Sequence, residues 1–211
     1  MRSLFPDPGD PWPHEMTITV EDRPHALLEL LWVREAYGLR VEGDDLPPLL
    51  TDTPEPVAGI TEETRTEWDQ AWPRVWRAAA AHEGRDDASR LMEELQRSAL
   101  GSRERWELLQ QLTGPSWRDQ FGDAAFDDGF REWDQRGHDR VIAAMQAPPP
   151  IGPERRDLDD LIAAWRAGLT KVVTIPCVGE FDRRLSPTAL LTTDAARADS
   201  DSYRRALRAF V

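Results

Sequence analysis

Apolar residues recur at helical spacing through most of this chain, and alternate with polar ones only near its two ends. The first alternation, Met16-Thr-Ile-Thr-Val20, predicts a short strand. Asp22 is the expected cap, with Pro24 tolerated in the first turn, of a helix over about 23–37. The interior of that helix, Ala26 to Val33, is apolar nearly all round, the pattern of a central buried helix that Gly38 ends. Residues 43–59 hold Pro47, Pro48, Pro54 and Pro56 and read as a loop.

Thr61 opens the next helix, with a capping box at Thr64-x-x-Glu67 as an alternative start one turn later. Here Trp68, Trp72 and Trp76 recur every fourth residue, which places three indoles on one face. Pro73 interrupts them and predicts a kink or two short helices. Further helices are expected over 86–99, with Leu91, Met92, Leu95 and Ala99 together, and after Ser102, with Trp106, Leu109 and Leu112 aligned before Gly114-Pro115. Over 123–146, Phe126, Phe130, Trp133, Gly137, Val141 and Met145 share a face, and Gly137 predicts close approach of another backbone.

A proline-rich connector spans 147–153, followed by a helix carrying Leu158, Leu161, Ile162, Trp165 and Leu169. Lys171 to Val178 is the clearest strand, with Pro176 placing its end at an edge or bulge, and Thr188 to Thr193 is a second. Ser200 is expected to cap a last helix with Tyr203, Leu207 and Phe210 inward. A lone strand is unstable, and the only partners for residues 16–20 lie after residue 170. The fold class is therefore α+β: about six helices beside a small sheet formed by strands from both chain ends. Residues 1–15, with Pro6, Pro8, Pro11 and Pro13 around Phe5 and Trp12, form a tail or strap, and residues 16–211 form a single domain with the 147–153 connector inside it.

Composition narrows the function classes more than it selects one. At 40% hydrophobic and 31% charged, with no apolar run near 18 residues, the 211-residue chain is expected to be a soluble globular protein with no membrane span, and its first ten residues lack the apolar core of a signal peptide. One cysteine, Cys177, excludes an internal disulfide, and the expected location is cytoplasmic. A net charge of −13 argues against nucleic acid and anionic membranes, and leaves a neutral or basic protein as the expected partner. The cations are 25 arginines and a single Lys171, a bias so uniform that it reads as coding composition.

No glycine-rich phosphate cradle and no G-x-S-x-G elbow occurs, so nucleotide cofactors and a hydrolase elbow have no support. His138-Asp139 invites comparison with the paired His-Asp of metal phosphohydrolases, with His82 as a further ligand. An adjacent pair on a solvated helix face is the blander account, and His82-Glu83 at a helix end suits the dipole. Glu104-x-x-Glu107 and Glu154-x-x-Asp157 have the spacing of paired magnesium-holding acids, although acids at a helix start are expected for capping. Glu-Trp-Asp-Gln occurs at 67–70 and 132–135 and raises a metal pair from Asp69 and Asp134. Cys177, among Ile175, Pro176 and Val178, reads as an inert buried thiol rather than a nucleophile. No residue is thus assigned a catalytic, cofactor or metal role, and no cofactor is expected. The leading expectation is an acidic binding or regulatory protein engaging a protein partner. The alternative is a metal-dependent hydrolase with carboxylate and histidine ligands on helices.

Overall fold

The computed structural model describes residues 11–146 and 151–211. The expected tail therefore lies outside the described residues up to residue 10, as does the centre of the proline connector. The class is α+β, predominantly helical with a small mixed sheet, but it differs from the expectation in two counts: the described residues form ten helices rather than about six, and four strands. In chain order these are β1 (Thr19–Glu21), α1 (His25–Ala36), α2 (Glu62–Glu83), α3 (Ala88–Arg97), α4 (Arg103–Thr113), α5 (Trp117–Phe121) and α6 (Asp128–Gln146). There follow α7 (Pro153–Arg156), α8 (Leu158–Arg166), β2 (Lys171–Ile175), β3 (Asp182–Ser186), β4 (Ala189–Thr193), α9 (Asp194–Ala198) and α10 (Ser200–Phe210).

The sheet order is β1-β2-β4-β3. β1 runs parallel to β2 and β2 parallel to β4, while β3 returns antiparallel along the open side of β4. The expected partnership of the first strand with a segment beyond residue 170 is present, Val20 lying opposite Val172. The sheet is nevertheless not drawn from the chain ends alone, because β2, β3 and β4 precede two further helices. Its register irregularity falls between Arg184 and Ser186, at the β3 edge.

Strand periodicity sorts the core into two layers. Val173, Ile175 and Leu191 face a cluster built from α1, α2, Trp117 of α5, and Phe130 and Trp133 of α6. Val172 and Leu190, one position away, face Met16, Ile18, α8 and α10. Helices thus cover both faces of the sheet, and nearly every residue of α1 is buried, as its all-round apolar pattern requires. Tyr203, Leu207 and Phe210 point inward, as expected. Trp12 is also buried, donating its indole N–H to the Met16 carbonyl at 2.9 Å, so the described end of the proline-rich segment docks on the body.

The tryptophan stripe is core. Trp68, Trp72 and Trp76 are at most 8% exposed, Trp72 and Trp76 stack with planes 6° apart, and Trp68 meets Tyr37 and Trp117 edge-on. Of the two outcomes expected at Pro73, a kink or two short helices, the second is not found: α2 runs as one helix of 22 residues through Pro73. An interior proline costs about 3 kcal/mol. Each buried indole removes roughly 150–250 Å² from water, about 4–6 kcal/mol at 25 cal/mol per Å², so packing outweighs the break.

Of three expected caps, those of α1 and α10 differ, while Thr61 caps α2 as expected. Pro24, not Asp22, occupies the cap position of α1 and makes no side-chain cap bond. Thr61 accepts from the Thr64 amide at α2, and Asp199, rather than Ser200, accepts from the Ser202 amide at α10. Gly137 is approached not by backbone but by the Arg23 guanidinium, which a Cβ would strike. Gly114, at φ 70°, gives way to the His82 ring in the same manner.

Helices α3 and α4 form a hairpin with its own small core of Leu91, Leu95 and Leu108. The expected α4 stripe is displaced: Leu108 is buried, while Trp106 and Leu109 are exposed, as is Met92 on α3. No helix of the described residues is long and apolar enough to cross a membrane.

A candidate binding site at an acidic loop

The residues singled out in the sequence do not assemble. His138 and Asp139 lie exposed on α6, Glu104 and Glu107 exposed on α4, and His82 is half-buried with Nε2 3.2 Å from the Leu112 carbonyl. Asp69 accepts from the Arg40 amide, whereas Asp134 pairs with Arg23. Among the described residues no group of three or more His, Cys, Asp or Glu is placed to hold a metal ion. The metal-hydrolase expectation is left without the ligand set named for it.

Glu154 stands in the first turn of α7 and Asp157 at the cap position of α8, as expected of helix-start acids, but both also pair with arginines. Glu154 is fully buried and receives two hydrogen bonds from Arg197, at 2.7 and 2.8 Å, and Asp157 pairs with Arg156. They fasten α7 to the α9–α10 end of the chain. Cys177 is buried, and burial pushes its thiol up to about 12. At pH 8 a disulfide-exchange reagent is therefore expected to leave Cys177 unmodified until denaturant is added. Stoichiometric labelling of the native protein would contradict that assignment.

Two clefts remain. One, about 430 Å³, lies where α1 begins and is lined by Arg23, His25, Glu29, Glu83 and Arg118 among others. Its charges satisfy one another: Glu29, 1% exposed, lies 3.1 Å from His25 Nε2 and 2.6 Å from Arg118 Nε, and Arg23 holds Asp134. The hydrogen bond to Glu29 raises the His25 pKa above its ordinary value. This is a closed set of internal contacts joining α1, α5 and α6.

The other cavity, about 500 Å³, opens between the C-terminal end of α1 and the loop that follows. Leu39, Val41, Leu46 and Leu49 give it apolar walls, and Arg34 and Glu35 its base. The loop is irregular because four prolines cannot join a hydrogen-bonded ladder, yet it is tied down throughout. Arg34 donates to the carbonyls of Pro47 and Pro48, both at 2.6 Å, and Glu35 accepts from the Leu50 amide. Leu50 bridges to Cys177, and the Thr51 amide donates to the Pro176 carbonyl. Arg34 and Glu35 also pair with each other, so the base of the cavity carries no net charge.

The chain segment that supplies the loop does carry charge. Residues 41–70 hold nine acidic residues against the single Arg65, a net −8 within a chain of −13. Contacts of Arg65 with the Tyr37 carbonyl and of Asp69 with the Arg40 amide set the first half of α2 beside this loop. Three of the acids have arginine partners: Asp45 with Arg77 and Arg183, Asp52 with Arg136 and Arg140, and Glu62 with Arg65. The hydrogen bond from Arg77 holds the Asp45 carboxyl down at about 2. Glu42, Asp44, Glu55, Glu63 and Glu67 are exposed, and none has an ion-pair partner among the described residues. Whole-chain charge hid this concentration; a running charge along the sequence would have revealed it.

The fold and this site define a helix-covered mixed-sheet protein with a preformed, acid-rimmed apolar cavity. Comparison with family models, with curated proteins and with solved structures returns no match, so the chemistry of the site alone carries the functional reading.

Proposed function

We propose that this is an acidic binding or regulatory protein that engages a basic protein partner through the surface of residues 41–70. The observation that supports it is the concentration of unpaired carboxylates along residues 41–70, the segment whose Val41, Leu46 and Leu49 help to wall the cavity. A field of one sign steers an oppositely charged partner and repels the phosphates of nucleic acid.

The test is affinity capture on the immobilised full chain at about 0.1 M and about 1 M salt, over which screening shortens from about 10 Å to about 3 Å. The parallel bait is the variant Glu42→Gln, Asp44→Asn, Glu55→Gln, Glu63→Gln, Glu67→Gln. A partner held by the native chain at low salt, and lost both at high salt and on the neutralised variant, is the expected result. Equal capture by both baits, or no partner at low salt, would overturn the reading.

A further inference from the structure

We infer that the cavity between α1 and the 43–53 loop receives one apolar side chain of a partner segment, flanked on that segment by arginine or lysine side chains that pair with Glu42 and Asp44. The inference rests on the acidic-surface reading and adds to it where the partner is anchored and by what chemistry.

Three features of the cavity point to this occupant. Its walls are Leu39, Val41, Leu46 and Leu49, so the group they favour is apolar, and Leu49 is 59% exposed among the described residues. Its base is an internally neutralised Arg34–Glu35 pair with the arginine committed to two carbonyls, so no charge waits there for a charged ligand. Charge sits at the rim instead: Glu42 and Asp44 flank the lining residues Val41 and Gly43 along the chain, and both carboxylates are exposed and unpaired. An apolar centre inside a charged rim is the arrangement that lets a desolvated anchor supply affinity while rim charges supply orientation and speed of encounter. The loop is also preorganised. Its bonds to Arg34, Glu35, Pro176 and Val178 mean that little ordering is needed on binding.

The probes are three blocked pentapeptides in which a central leucine or serine is flanked by arginines, or a central leucine by serines. Binding to the full chain is followed by amide chemical shifts. The arginine-flanked leucine peptide is expected to shift the amides of residues 41–53. Replacing its leucine by serine is expected to weaken binding about tenfold or more, the discrimination that an apolar pocket exerts on an apolar group. Leu49→Asp should weaken it comparably; because Leu49 is exposed, the variant should keep the native thermal midpoint, which is checked in parallel.

If both arginine-flanked peptides bind equally and shift only residues 55–69, the cavity is not the anchor site, although the acidic-surface reading stands. If the serine-flanked leucine peptide binds as well as the arginine-flanked one, the cationic flank is wrong. If no arginine-flanked peptide binds at low salt, the anchor inference and the reading beneath it both fail.

Discussion

Replacing Trp72 with alanine is expected to lower the free energy of unfolding by about 3–5 kcal/mol, the range for removing a buried large aromatic side chain. Trp72 is fully buried, stacks on Trp76, donates its indole N–H to the Leu30 carbonyl at 2.7 Å, and lies under the Arg34 guanidinium. The substitution removes the contacts that hold α2 against α1 on both sides of Pro73, and it leaves a buried carbonyl short of its donor. For a domain stable by about 5–15 kcal/mol this is a large fraction of the total. The comparison is Trp106→Ala, at an indole 59% exposed on α4, where the change should stay within about 0.5 kcal/mol. Urea unfolding followed by circular dichroism measures both, and equal losses at the two tryptophans would contradict the assignment of the stripe to the core.

Removing the Glu154 carboxylate is expected to be of similar size. Glu154→Ala leaves the Arg197 guanidinium, 22% exposed, with neither of its two short hydrogen bonds to that carboxylate, and Tyr203 Oη loses a neighbour at 3.3 Å. Breaking a buried pair from one side costs about 3–5 kcal/mol, because the remaining charge is desolvated without a partner. The double variant Glu154→Leu, Arg197→Met removes both charges and should be more stable than Glu154→Ala. A double variant as unstable as the sum of its single changes would show that the two residues act separately.

Much of the architecture is visible in the chain because the deciding signals are local and strongly apolar. Lys171 to Ile175 and Ala189 to Thr193 carry β-branched and leucine residues in short runs, and residues 16–20 alternate cleanly, so their pairing follows from a lack of other partners. What escapes has a physical reason in each case. β3, with the sequence Asp-Arg-Arg-Leu-Ser, has no apolar face because it lies at an edge and is largely exposed. Pro73 reads as a break because propensity is local, while the indoles that override it pack on residues distant in sequence. On α4 the spacing of Trp106, Leu109 and Leu112 describes one plausible face and Leu108 with Leu112 another. Only the position of α3 decides between them.

The candidate site was less legible than the fold. Catalytic spacing points to His138, Asp139, Glu104 and Glu107, which are exposed on two different helices. The cavity depends on tertiary contacts: Arg34 and Glu35 read as part of a buried helix, and nothing in their spacing shows that they hold a proline-rich loop up to 15 residues further on. Only the acidity of that loop was present in the sequence, diluted in the overall charge.

The edge formed by β3 has a consequence for how this chain behaves in a crowded solution. An unpaired strand edge is a template on which other chains can add strands. Here the edge carries Arg183, which reaches the Asp45 carbonyl, and Arg184, which donates to the Phe210 carbonyl and covers that ring at 4.5 Å. With its pairing register also broken between Arg184 and Ser186, an incoming strand would have to displace both arginines and match an irregular ladder. The sheet is therefore protected against growth on that side, although the strand next to β3, β4, is buried along its whole length.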